Sequence, residues 1–80
     1  MSVHFDYRGL GLGDALLKKL IELSRQIPDL ELLELNVMSP NVAAYKLYQK
    51  SGFQECGRYQ KAYRLESGEY VDDIMMHLPL

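Results

Sequence analysis

The stretch Tyr7-Arg8-Gly9-Leu10-Gly11-Leu12-Gly13-Asp14-Ala15-Leu16-Leu17 constrains this chain more than any other. Three glycines at alternate positions run straight into an apolar-periodic segment. Glycine lets backbone approach a ligand closely and adopt φ > 0 without steric cost. A helix opening immediately afterwards offers free N–H groups and the positive end of its dipole, which together hold an anion. Arg8 adds a permanent planar charge that can fork onto a phosphate. The stretch reads as a cradle for a diphosphate, with a glycine-rich connection that holds nothing as the plain alternative.

Spacing narrows the kind of cradle. A P-loop requires Lys followed by Ser or Thr directly after its last glycine, and no lysine stands there. A dinucleotide fingerprint counted from Gly9 and Gly11 would need glycine at position 14, which is Asp14. What remains is Arg8-x-x-Gly11-x-Gly13.

Eighty residues make one small domain, near the size where a single core is marginal. A hydrophobic fraction of 48% marks the chain as globular rather than disordered. The net charge of −2 argues against a general nucleic-acid binder. The single cysteine, Cys56, excludes an internal disulfide and a multi-cysteine metal site and suits a reducing compartment. No apolar run approaches the length of a membrane span and no signal peptide is evident, so a soluble, cytoplasmic chain is expected.

Val3 and Phe5 alternate with His4 and Asp6, so residues 1–6 read as the tail end of a strand. His4 is then a solvated strand-end residue. A first helix is expected over 11–26, with Leu16, Leu20, Leu23 and Ile27 as its apolar stripe and Leu17 and Ile21 beside it. Pro28 ends it. Leu30 to Val37 is a strand with Leu33, Leu35 and Val37 on one face and Leu32, Glu34 and Asn36 on the other. Glu34 is a candidate general base; an ordinary exposed carboxylate is the alternative.

Ser39-Pro40 opens a second helix, with Ser39 as N-cap and Pro40 in the first turn. Gly52 has the place of a left-handed C-terminal cap, and Phe53 can pack back on Leu47 or Tyr48. Gln54 to Leu65, the turn Glu66 to Glu69, and Tyr70 to Leu80 form a hairpin, with Ile74, Met76 and Leu78 facing the core.

The order Arg8-x-x-Gly11-x-Gly13, then a strand, then Asn41-x-x-Ala44-x-x-Leu47-Tyr48-x-x-x-Gly52-Phe53, resembles the acetyl-CoA site of the GNAT acetyltransferases. The likeness covers nearly the whole chain, which corresponds to the family's C-terminal half. The strands that precede this half in the family, and much of the acceptor pocket, have no counterpart in these residues. The expected fold is therefore α/β (α+β): a partial acyl-CoA N-acyltransferase-like domain over 1–80, with two helices on a small mixed sheet ending in an antiparallel hairpin.

The resemblance implies acetyl transfer from acetyl-CoA to a primary amine by direct attack on the thioester, without a metal. The diphosphate would lie on Arg8 and the backbone of Gly9, Leu10, Gly11, Leu12, Gly13 and Asp14. Asn41 would hydrogen-bond the pantetheine arm, and Tyr48 would protonate the departing thiolate. A phenol of pKa about 10 suits that role, because it keeps its proton at neutral pH yet can stabilise a developing anion. Tyr48 as simple packing on Phe53 is the alternative. A non-catalytic remnant that binds CoA or a protein is the competing function.

Other residues read as structural. Tyr45 is core, and Cys56 is a small hydrophobe with no base evident beside it. Asp72 sits near the start of its strand, where it reaches solvent. Asp73 and His77 share a strand face but stand about 13 Å apart, too far to share a metal. Arg58, Tyr59, Tyr63 and Arg64 are a solvated strand face, and the acidic balance argues against base stacking on them. The strand at 30–37, short of a full neighbour, would leave an open edge, and with so small a core a homodimer through that edge is expected.

Overall fold

The computed structural model of the chain describes residues 1–5 and 13–80, Phe5 by its backbone. Arg8, Gly9, Leu10, Gly11 and Leu12 of the cradle lie outside the described residues. The elements are β1 (Ser2–Phe5), α1 (Asp14–Arg25), β2 (Leu32–Met38), α2 (Val42–Lys50), β3 (Gln54–Arg64) and β4 (Tyr70–Pro79). The strands form one mixed sheet in the order β1-β2-β4-β3. β1 runs parallel to β2, with Ser2 opposite Leu32 and Phe5 opposite Leu35. β4 runs antiparallel to both β2 and β3. This is the expected α/β class, with two helices on a mixed sheet.

Alternation decides which face of the sheet is covered. Leu33, Leu35 and Val37 of β2 are buried while Leu32, Glu34, Asn36 and Met38 between them are half-buried. Across the register, Ile74, Met76 and Leu78 of β4 continue the same inner face. Leu17 and Ile21 of α1, Tyr48 of α2, and Phe53 after it join those residues in one core cluster. Both helices therefore lie on one side of the sheet.

α1 differs from expectation in its start and its stripe. It begins at Asp14 rather than 11, with Gly13 as an extended N-cap (φ −74, ψ 164). Its buried residues are Leu17, Ile21 and Ser24, whereas Leu16, Leu23 and Ile27 are 61%, 49% and 45% exposed. The six apolar residues cover a wider arc than the sheet can bury, and the packed arc is the one rotated toward Leu17. Ser24 fits inside it because its hydroxyl donates to the Leu20 carbonyl at 2.7 Å, so its polar atom is not left unmet.

α2 is capped by Asn41, not Ser39: Asn41 Oδ1 accepts from Ala44 N–H at 3.2 Å. Ser39 is occupied elsewhere. Its N–H donates to the Asp72 carbonyl at 3.0 Å and its Oγ accepts from Asp72 N–H at 2.9 Å, pinning the β2–α2 turn to the start of β4. At the other end Phe53 N–H donates to the Tyr48 carbonyl at 3.0 Å and Gly52 N–H to that of Gln49 at 3.1 Å, the paired bonds of a Schellman cap. Gly52 takes φ +107, and a Cβ there would stand 3.1 Å from Leu78 Cδ1. Gly52→Ala is accordingly expected to cost about 1–2 kcal/mol, the penalty for a side chain at positive φ. A urea titration that leaves the unfolding midpoint unmoved would contradict this.

The open edge falls in a different place from the one expected. β2 is flanked by β4 on one side and by β1 over Leu32–Leu35 on the other, so among the described residues the outer strands are β1 and β3. β3 carries charges along its length (Glu55, Arg58, Lys61 and Arg64), which discourage edge-to-edge pairing.

Candidate active site

Parallel strands place successive helices at the same end of the sheet. β1 leads through the glycine stretch into α1, and β2 leads through Ser39-Pro40-Asn41 into α2. Both helix N-termini thus lie beyond the carboxyl ends of β1 and β2, where open α/β sheets hold their ligands. Gly13 and Asp14, the described end of the glycine stretch, stand at the start of α1. Gly13 closes the first turn by accepting Leu17 N–H at 3.0 Å. Asp14 lies in the first turn, where its charge suits the helix dipole, and its Oδ2 pairs with Lys18 Nζ at 3.3 Å. The order acid-then-base four residues on is the favourable one.

Asn41 stands at the second N-terminus. With Oδ1 engaged as the cap, its Nδ2 donor is what remains for a ligand. Tyr48 is about two turns further along α2, and is 3% exposed. Its ring meets Phe53 edge-on, centroids 6.1 Å apart at 63°. Burial pushes its phenol above the ordinary range, so it is a protonated group at neutral pH. Tyr48 and Phe53 do pack together, and this contact is compatible with both readings of the tyrosine.

Glu34 is not brought to Tyr48. It lies on the opposite face of the sheet, away from the helices, 3.6 Å from Nδ1 of His4 and in register with His77. His4 is therefore not merely solvated: cross-strand pairing makes it Glu34's neighbour. Tyr45 is half-buried against the core rather than enclosed by it, and its hydroxyl donates to Glu55 Oε1 at 3.2 Å. Arg58 binds Glu55 at 3.0 Å and Asp72 at 3.1 Å, and holds the Glu55 carboxyl below its usual range. Cys56 is exposed, not packed as a small hydrophobe. Desolvation and the nearby Glu34 charge push its thiol upward, which disfavours the nucleophilic thiolate. No cluster of three or more His, Cys, Asp or Glu fit to hold a metal occurs among the described residues. None of the described helices is long and apolar enough to cross a membrane.

One polar pair escaped the sequence reading. Asn36 Nδ2 donates to Asp73 Oδ1 at 2.9 Å across β2 and β4. Both residues had been placed on strand faces, but the antiparallel register that joins them has no local signal.

Known proteins agree with this architecture. Residues 1–53 match the Acetyltransferase (GNAT) family. The chain belongs to that family. It is 36% identical over 70 residues to the L-amino acid N-acetyltransferase AaaT of Escherichia coli (strain K12), a match spanning 88% of this chain and 43% of that protein. A GNAT-family acetyltransferase structure from Streptococcus pneumoniae superposes with a TM-score of 0.78 at 32% identity, over 96% of this chain and 51% of that one. The putative acetyltransferase yncA from Salmonella typhimurium, solved with its cofactor acetyl-CoA, gives 0.73 at 27% identity, over 91% and 41%. The chain thus spans about half the length of the relatives it matches.

Proposed function

We propose that this chain binds acetyl-CoA at the carboxyl ends of β1 and β2 and takes part in acetyl transfer to a primary amine. The observation that carries the reading is the convergence of two helix N-termini, those of Gly13-Asp14 and of Asn41, at one end of a parallel strand pair. In this reading the diphosphate lies on Arg8, the backbone of 9–14 and the first turn of α1. Asn41 Nδ2 donates to a pantetheine carbonyl. The amine, freed of its proton, attacks the thioester carbon; the C–S bond breaks, and Tyr48 gives its proton to the departing sulfur. Glu34 is the candidate acceptor of the amine's proton, through water, since it sits on the other face of the sheet from Tyr48. A second copy pairing along the outer edge of β1, in the reducing cytoplasm that the lone cysteine suits, belongs to the same reading.

Calorimetry with acetyl-CoA tests it. Gly11→Val is expected to abolish binding by blocking backbone approach while the circular-dichroism spectrum stays folded. Unchanged affinity in that variant would remove the cradle assignment.

A further inference from the structure

α1 carries more apolar residues than its core face uses. Leu17 and Ile21 join the core cluster; Leu16, Leu20, Leu23 and Ile27 do not belong to it. Leu16, Leu23 and Ile27 are exposed and Leu20 is half-buried. Ile27 continues the helical path just past the cap, its N–H donating to the Ser24 carbonyl at 3.1 Å. At 3.6 residues per turn the four fall within about 60° of one another, one stripe of coiled-coil spacing. α2 is not what they face. The cleft between the helices is lined by Lys18, Ile21 and Arg25 of α1 and by Lys50 and Ser51, on the opposite flank of α1 from the stripe. α2 leads from β2 toward β3, so the stripe is turned to the β1 side of the sheet.

Among the described residues β1 is the outer strand on that side. Its four residues, Ser-Val-His-Phe, include none of the lysines or prolines that keep sheet edges apart. The apolar stripe and the unguarded edge therefore share one flank of the molecule. A two-fold axis normal to the sheet, beside β1, acts on both at once. It sets β1 antiparallel to its copy and α1 antiparallel to its copy. Such a helix pair needs a stripe that reads the same from either end. This one does: turned about the midpoint between Ile21 and Glu22, Leu16 exchanges with Ile27 and Leu20 with Leu23. The spacing agrees. α1 packs over Val3 of β1 and Leu33 and Leu35 of β2. Two strand spacings then separate it from its image, about 10 Å and a usual distance between packed helices. Lys19, beside the stripe, falls level with Ser24 and Gln26 of the second copy and not with its own image, so like charges are not opposed.

We infer that α1 is a self-docking surface. Its occupant is α1 of a second copy, laid antiparallel on Leu16, Leu20, Leu23 and Ile27, while the two β1 edges continue one sheet across the same axis. The inference rests on the reading above for the pairing of β1 edges, and on nothing in acetyl transfer.

Sedimentation velocity of the whole chain over a dilution series tests it. The unmodified chain should sediment as a species of twice 9.2 kDa at micromolar concentration. Leu23→Lys should weaken that association at least about 100-fold, because it sets two ammonium groups beside the axis. Leu16→Lys should act in the same direction. Both side chains are exposed, so the circular-dichroism spectrum should stay folded. Leu65→Lys, an exposed apolar position in the hairpin, should leave the dimer intact. The antiparallel register has its own readout. In a Cys56→Ser background, Leu16→Cys and Ile27→Cys chains mixed and oxidised should form the mixed disulfide in preference to either symmetric one. An unmodified chain that stays monomeric would overturn the inference, as would a dimer that survives both lysine variants or cross-links each position to itself. Survival of the dimer in those variants leaves the β1 edge alone as the contact. Acetyl-CoA calorimetry on the same samples keeps the claims apart: an α1-dependent dimer that binds no acetyl-CoA upholds this inference and removes the cofactor reading.

Discussion

Tyr48→Phe is expected to lower the rate of acetyl transfer by about 10²–10⁴-fold, the range for a positioned proton donor. Affinity for acetyl-CoA should change little, because the substitution removes one hydroxyl and keeps the ring. That ring is what packs: Tyr48 is buried and edge-on to Phe53. The loss in stability should accordingly stay near the ~1 kcal/mol of one hydrogen bond. Burial has already raised the phenol pKa, so the group holds its proton through the neutral range and is available to donate it in a hydrogen bond to a forming thiolate. Steady-state release of CoA in the presence of n-butylamine gives the measurement. A fully active Phe variant would leave Tyr48 as packing. Absence of turnover in the unmodified chain, with acetyl-CoA still bound, is the signature of the remnant reading.

Phe53→Ala carries the largest expected effect on stability. Phe53 is 1% exposed and among the largest fully buried side chains, and it is also the residue through which the Schellman cap of α2 closes. Truncating a buried phenylalanine costs about 3–5 kcal/mol. A domain of 80 residues has only about 4–12 kcal/mol in total, at roughly 0.05–0.15 per residue. The variant should therefore lose from about a quarter to all of the chain's stability, and α2 should lose its hold on the sheet, taking Asn41 and Tyr48 out of place. Urea unfolding followed by circular dichroism would show this. A midpoint within experimental error of the unmodified chain would mean that the core closes over the gap.

The two predictions act on different parts of one short segment, residues 41–53, and that segment was the most legible part of the chain. Its signals are local. Gly52 precedes an apolar residue at the helix end, and the positive φ follows from the absence of a Cβ. Asn41, Tyr48 and Phe53 could be placed at one end, in the middle and beyond the end of one helix by counting alone. The faces of β2 were legible for the same reason, since alternation of side chains is a property of every strand.

What counting could not supply was contact between segments distant in sequence. Ser39 has the character of an N-cap, but its hydroxyl accepts from Asp72, 33 residues away, and Asn41 caps the helix instead. The apolar residues of α1 defined a broad stripe, and only the position of the sheet beneath it selected Leu17 and Ile21 over Leu16 and Leu23. The open edge moved from β2 to β1 once four residues at the start of the chain paired with Leu32–Leu35. The separation of Tyr48 from Glu34 by the sheet, and the pairing of Asn36 with Asp73, arise from registers set by the whole sheet. The sequence by itself determined the elements, the C-terminal cap of α2 and the order of the glycine stretch and the Asn41–Phe53 segment, because each is settled within a few residues. Tertiary structure decided which side chains share a face and a charge environment, because those depend on which distant strands hydrogen-bond and on the register at which they do so.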